Sequence, residues 1–190
     1  SADKIHSQVA EDPNIHRSIE CIWDKGLWQQ ITELGWTAAC VPEEAGGLGM
    51  PLVAAVAIAE EAGKAAFPSP LISTMIASFV LKECHSDAAT KALGDVASGV
   101  PMTLAVTNKL GSWEPSDTDV AAAGTTLNGT AYFVQDAQKC DRFVVSATTP
   151  KGVALFLVDA NAAGVSITPD GIIDLTRDQA HVEFKNVEAI

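Results

Sequence analysis

Apolar residues at Ile15, Ile19, Ile22, Trp23, Leu27, Ile31 and Leu34 recur at steps of three and four, the spacing that puts them on one face of a helix. Gly35 stops it, because a residue free to take positive φ is the commonest helix terminator. Pro51 has the fixed φ suited to a first helical turn, and the alanine-rich run to Lys64 has so few polar positions that the pattern predicts a helix buried on most sides. Phe67-Pro68-Ser69-Pro70 breaks it. A third helix is predicted over 71–84 and a shorter one over 87–93, with Gly94 and Gly99 closing the region.

After Pro101 the period shortens to two. Strands are predicted over 102–107, 132–135, 143–147, 153–158, 165–168 and 181–184, with Asn128-Gly129 and Pro150-Lys151-Gly152 as hairpin signals. Helices segregated from strands along a chain argue for α+β, not for a doubly wound parallel sheet. The pattern therefore predicts an all-α helical domain over residues 1–98. An antiparallel β-barrel or sandwich of seven or eight strands follows over 99–190, with the boundary at 97–101.

Composition removes several function classes. With 47% hydrophobic and 19% charged residues the chain can build a core. The formal charge of −12 is spread evenly, 13 acids against 6 bases in residues 1–100 and 11 against 6 in 101–190, and it disfavours nucleic acid and anionic membrane surfaces. The longest apolar runs, 51–59 and 71–81, are too short or too punctuated by Ser73, Thr74 and Ser78 to span a bilayer. Cys21, Cys40, Cys84 and Cys140 lack metal-ligand spacing and read as reduced thiols of a cytoplasmic protein, although an even count also permits two disulfides.

Motifs with chemistry of their own are few. Gly46, Gly47 and Gly49 precede a helix, but their spacing is neither GxGxxG nor a P-loop, and Glu43-Glu44 would repel an anion, so they read as a structural loop. Glu60 and Glu61 point about 100° apart on a helix and cannot form a facing carboxylate pair; solvation or a local ion pair is expected. His6, His16, His85 and His181 have no metal spacing, so no metal ligands are expected. Trp113 lies in a loop rich in Gly, Pro, Ser and Asp, where an aromatic side chain hints at binding or at packing on a neighbour.

Taken in order, Leu27-Trp28, Glu33-Leu34-Gly35-Trp36, Pro42-Glu43-Glu44 with Gly46-Gly47-Leu48-Gly49, and Glu60-Glu61-Ala62-Gly63-Lys64 resemble the amino-terminal helical domain of the acyl-CoA dehydrogenases. The β half resembles that family's middle domain. It carries Leu104-Ala105-Val106-Thr107, Leu127-Asn128-Gly129-Thr130, Tyr132-Phe133-Val134-Gln135, Cys140-Asp141, and Phe156-Leu157-Val158-Asp159. The ending, Asp174-Leu175-Thr176-Arg177 with Val182-Glu183-Phe184-Lys185-Asn186-Val187, looks like the bacterial branch that degrades steroid, aromatic or branched acyl chains.

The resemblance implies FAD as cofactor and an acyl-CoA thioester as substrate. A carboxylate takes the α proton while hydride leaves the β carbon for FAD, and electrons pass on to electron-transfer flavoprotein or another acceptor. By position it places the flavin against Val106 and Thr107 on one segment and Phe133, Val134 and Gln135 on another, with Ser112 toward pyrophosphate and CoA. Gln135 stands where the family has Thr or Ser, Asn108 where it has an acid, and Gly111-Ser112-Trp113 is one residue out of step with Gly-Ser-Asp. The family's carboxy-terminal helical domain, which supplies the catalytic carboxylate and most subunit contacts, has no counterpart in these residues. No catalytic residue is therefore assigned. The resemblance implies a piece that is silent alone, free of flavin, and prone to self-association through uncovered apolar surface; when full length, a homo- or hetero-oligomer. The alternative is a non-catalytic partner or acyl-CoA-binding subunit of a heteromeric dehydrogenase. A carbohydrate- or lipid-binding β domain would explain the strands but not the ordered helical motifs.

Overall fold

The computed structural model describes residues 23–174 and 177–190. Ile15, Ile19 and Ile22 of the first predicted helix lie outside them, as do Cys21, His6, His16, Leu175 and Thr176.

Among the described residues four α-helices precede a seven-stranded sheet, the α+β order expected. Helix α1 (Lys25–Glu33) starts at Asp24, whose carboxylate accepts from the Gly26 and Leu27 amides at 2.8 and 3.1 Å. It ends at Gly35 (φ 80°), where the Gly35 amide donates to the Thr32 carbonyl and the Trp36 amide to that of Ile31, a Schellman closure. Trp28 and Ile31 are buried, and the Trp28 indole donates to the Gly99 carbonyl at 2.8 Å, tying α1 to the far end of the helical region.

Helix α2 (Leu52–Lys64) departs from expectation. Only Ala55 and Ala62 are buried, while Leu52, Val53 and Val56 are 61%, 69% and 56% exposed. An alanine-rich surface has no polar face to mark which side is covered, so its pattern could not say that most of it lies open. Glu60 and Glu61 both pair with Lys64, at 3.0 and 2.8 Å, on the exposed face. The Gly46–Gly49 loop is structural: a Cβ on Gly47 would sit 2.1 Å from the Val41 carbonyl oxygen.

Helix α3 (Leu71–Glu83) carries buried Ser and Thr in an otherwise apolar run, and each is used. Thr74 Oγ1 accepts from the Met102 amide at 3.1 Å, Ser78 donates to the Met75 carbonyl, and Ser73 donates to Asp136 at 2.6 Å. Helix α4 (Asp87–Ala97) is longer than predicted, because Gly94 is an interior residue that lets the helix approach the Ala45 carbonyl and not a terminator; Gly99 (φ 94°) terminates.

The strands are β1 (Met102–Ala105), β2 (Val120–Ala123), β3 (Thr126–Gln135), β4 (Arg142–Thr149), β5 (Gly152–Asp159), β6 (Val165–Pro169) and β7 (Gln179–Glu188). The sheet is mixed, not wholly antiparallel as predicted. β1 runs parallel to the first half of β4, and β2 meets the second half at Thr148 in the same sense, while β5 pairs antiparallel along the whole of β4. β1 and β2 thus lie end to end along β4, and residues 106–119 leave the sheet between them. That arrangement cannot be read from alternation, which shows strands but not partners. β2, four residues with three alanines, escaped prediction.

Asn128-Gly129 is not a hairpin. The β2–β3 turn sits at Gly124, and Asn128-Gly129 lies within β3 at a register shift against β7, with Asn128 Oδ1 accepting from the Asn186 amide. The Pro150-Lys151-Gly152 hairpin does join β4 to β5.

Three cores share this frame. The largest fills one side of the sheet around Phe143, Val145, Leu127, Val134, Val182 and Phe184. A second joins α3 and α4 to β1 and β4 through Leu81, Leu93, Val96, Met102 and Val144. A third packs Trp28, Ile31, Leu71 and Met75 among the helices. Arg142, at the start of β4, pairs with Asp95 of α4 and, at 3.0 Å, with Asp159 of β5.

Gly129→Ala should destabilise the protein by about 2–4 kcal/mol, since its Cβ would meet the Asp119 carbonyl oxygen at 2.2 Å at φ 135°. Gly124→Ala, with open space and φ 67°, should cost only about 1 kcal/mol. Denaturant melts of the two variants check this, and equal losses would return the turn to Asn128-Gly129.

Candidate functional site

The site grows from the place where β1 stops pairing. Beyond Ala105 the chain swings out through residues 106–119 and returns as β2, and Thr118 Oγ1 closes the excursion by donating to the Ser146 carbonyl at 2.8 Å. Asn108, 8% exposed, organises the loop. Its Oδ1 accepts from the Leu110 and Ser112 amides, both at 2.9 Å, and its Nδ2 donates to the Asp117 carbonyl at 3.1 Å. A carboxylate here could supply the acceptors but not the donor, which gives the Asn a structural reason.

The facing strand is irregular at the same level. The β3–β7 register shifts between Ala131 and Val134, leaving Tyr132 and Phe133 in a bulge, and Phe133 takes φ 54°. A positive φ at an aromatic residue costs on the order of 1 kcal/mol, a strain that concentrates at functional sites. The Tyr132 amide donates to the Thr107 carbonyl at 2.9 Å, joining the bulge to the end of β1. A Cβ on Gly111 would lie 3.9 Å from Phe133 Cε2, so the loop turn passes beside that ring without covering it.

The residues singled out from sequence fall as follows. Val106 is half-buried and Thr107 buried, next to the bulge. Phe133 is 41% exposed and forms an open aromatic ledge with Tyr132, their ring centroids 6.4 Å apart. Val134 points into the β core at 1% exposure, so only its backbone can face a ligand. Ser112 comes to the same loop, but its hydroxyl is already engaged, donating to Asp117 at 2.7 Å and accepting from the Glu114 amide. Gln135 is exposed at the end of the strand, its amide donating to Gln179 Oε1 at 2.7 Å. Leu110 and Trp113 stand out from the loop at 91% and 66% exposure.

Sequence reasoning missed the support beneath the ledge. Directly after Gln135, Asp136 (φ 53°) is buried against Lys139 at 3.0 Å and accepts from Ser73 of α3, with Asp178 3.8 Å from the same ammonium. Breaking one partner of such a buried set leaves a charge stranded, so it fixes the end of β3 firmly onto α3. An i, i+3 Asp-Lys pair in a turn was its only trace in the sequence. Beside it, burial followed by the charges of Asp136, Asp178 and Asp141 holds the Cys140 thiol well above the usual range, so it stays protonated and inert. Tyr132, Asp170, Gln179 and His181 were also missed, being ordinary strand and loop residues by type.

The site offers an aromatic face, backbone polar groups and a braced loop, the means to hold a flat ring. Of its carboxylates, Asp117 is held by Ser112, Asp119 by the Lys109 amide, and Asp170 by Gln179 and His181. Among the described residues no group of His, Cys, Asp or Glu could hold a metal ion, and no helix is long and apolar enough to cross a membrane.

Comparison with known proteins gives this geometry a family. The pattern described as acyl-CoA dehydrogenase, N-terminal domain, matches residues 5–100. Acyl-CoA dehydrogenase IpdE2 of Mycolicibacterium smegmatis is 35% identical over 108 residues, 55% of this chain and 34% of that protein. Among solved structures, a variant of the Tcur3481-Tcur3483 steroid ACAD superposes with TM-score 0.77 at 28% identity, over 92% of this chain and 49% of that one. The ChsE4-ChsE5 complex from Mycobacterium tuberculosis gives 0.76 at 26%, over 98% and 52%. The chain spans about a third of that curated relative and about half of the solved chains. From the matched helical half and the superposed strands together, this chain belongs to the acyl-CoA dehydrogenase family.

Proposed function

We propose that this chain forms the helical and β portions of a flavin-dependent acyl-CoA dehydrogenase acting on an acyl-CoA of steroid type, the class named for the similar Tcur3481-Tcur3483 protein. The observation that carries the reading is the strained, open Phe133 bulge clasped to Thr107 and flanked by the Asn108-braced loop, the two segments where the family places its flavin. The residues fit the group. Phe133 supplies an aromatic face, the segment at Val106 and Thr107 supplies backbone polar groups, and residues 108–112 border the ledge without closing it. When bound, FAD supplies the acceptor for the hydride that leaves the substrate's β carbon as its α proton is taken.

This chain's own residues bind and orient. As the family resemblance implies, the proton is taken by a carboxylate from elsewhere in the whole protein or from a partner subunit. In the whole protein, electron-transfer flavoprotein or another acceptor would take up the electrons. Two observations favour a second reading, a partner subunit that shapes another chain's site. Ser112 already spends its hydroxyl on Asp117 and the Glu114 amide within the chain, and the similar ChsE4 and ChsE5 form a complex.

The deciding experiment is a visible spectrum of the complete natural protein. A flavin spectrum that bleaches when a steroid-type acyl-CoA is added is the expected result; a colourless protein that takes up no added FAD moves the assignment to the partner subunit. Phe133→Ala should lower FAD affinity roughly tenfold, read by fluorescence titration. Asn108→Ala strips acceptors from two loop amides and should cost about 2 kcal/mol locally, seen as hydrogen exchange at Leu110 and Ser112 faster by roughly tenfold or more.

A further inference from the structure

On the sheet face opposite the β core a line of polar side chains runs from the loop after β6 to the end of β3. Asp170 Oδ1 lies 3.3 Å from His181 Nδ1, and Asp170 Oδ2 accepts from Gln179 Nε2 at 3.1 Å. Gln179 Oε1 in turn accepts from Gln135 Nε2 at 2.7 Å. His181 stacks on Tyr132, ring centroids 6.1 Å apart and planes 29° from parallel, so the anchored end of the line also bears on the ledge.

The direction of this chain of bonds is forced. An ionised carboxylate only accepts, so Gln179 must turn its NH2 toward Asp170 and its oxygen toward Gln135. Gln135 must then answer with its own NH2. Among the described residues its Oε1 and remaining N–H have no partner, and the side chain is exposed two residues on from Phe133. Without Asp170 the two amides could flip together at little cost, and Gln135 would present the opposite pattern.

A primary amide with one acceptor and one donor free matches a ring edge on which C=O and N–H stand side by side. The pyrimidine edge of a flavin is such an edge, and an amide can meet both its groups at once through two parallel hydrogen bonds. We infer that Gln135 is a binding residue for the imide edge of the flavin, and that Gln179 and Asp170 are positioning residues that set its amide the right way round. This rests on the flavin reading given above. It makes Gln135 an alternative solution to holding the ring rather than a loss of it.

The test is FAD titration of the complete natural protein, following affinity and the visible absorption band, in wild type, Gln135→Leu, Gln179→Leu, Asp170→Ala and the Gln135→Leu/Gln179→Leu double variant. Gln135→Leu should weaken binding about tenfold, and Gln179→Leu and Asp170→Ala about threefold each with a shifted band. The double variant should be no worse than Gln135→Leu alone, because the positioning residues act only through it. Additive losses in the double variant, or single variants that leave affinity and band unchanged while wild type binds, overturn the relay and spare the flavin reading. A wild type that takes up no FAD overturns both. A readout independent of flavin is the NMR signal of the Gln135 side-chain amide, which should move in Asp170→Ala; a signal that stays put overturns the relay from the other side.

Discussion

Everything in this protein hangs on β4 being buried on both faces. Phe143, Val145 and Ala147 enter the β core, while Val144 between them meets the helices through Leu81, Leu93 and Met102. A strand that is apolar on both sides can serve two layers at once, and each layer then holds the other in register. Arg142, at its first residue, adds ionic ties to α4 on one side and to β5 on the other. Helices and sheet therefore share a wall.

The site follows from that wall. β4 is long enough to take β1 along its first half and β2 at its second, so the chain between them has both ends fixed and its middle free to protrude. Opposite, β3 cannot stay regular, because the bulge at Tyr132 and Phe133 is what brings its amide to the Thr107 carbonyl. Just behind Phe133, Asp136, itself at φ 53°, joins Lys139 and Ser73 in a buried set from which no partner can be removed without stranding a charge. Strain at the ledge and rigidity just behind it are one arrangement.

Much of this was legible in the chain, for reasons that differ by element. The end of α1 at Gly35 and the Pro68–Pro70 break before α3 were legible, but the start of α1 was not: the apolar period runs on through Trp23, whereas Asp24 is extended and caps a helix that begins at Lys25. Helix α2 was found but its environment misjudged, since alanine does not distinguish a covered side from an open one. The strands were found by alternation, but their mixed pairing was not, because direction is decided by which partner β4 selects. Asn128-Gly129 misled through its type: the same glycine freedom that suits a hairpin suits a close approach to the Asp119 carbonyl. At the site, Thr107 and Phe133 were singled out through the resemblance of their strings, and the structure brings their segments side by side. Asn108 was noted only as a departure, and its role as the loop's hub needed coordinates. Asp170 and Gln179 lie 35 and 44 residues from Gln135 and carry no local signal at all.

The end-to-end placement of β1 and β2 also bears on how such a protein can diversify. Both anchor points of residues 106–119 are set by β4, at Val145 and Thr148, and neither register depends on what lies between them. Loop closure entropy grows slowly with length, so residues can be inserted or removed there without disturbing the frame. A lineage could lengthen, shorten or recompose this excursion as freely as a surface loop while keeping it pressed against the same aromatic ledge. The shift of Ser112 by one position would then be a by-product of a segment that evolves by length, not a sign of decay.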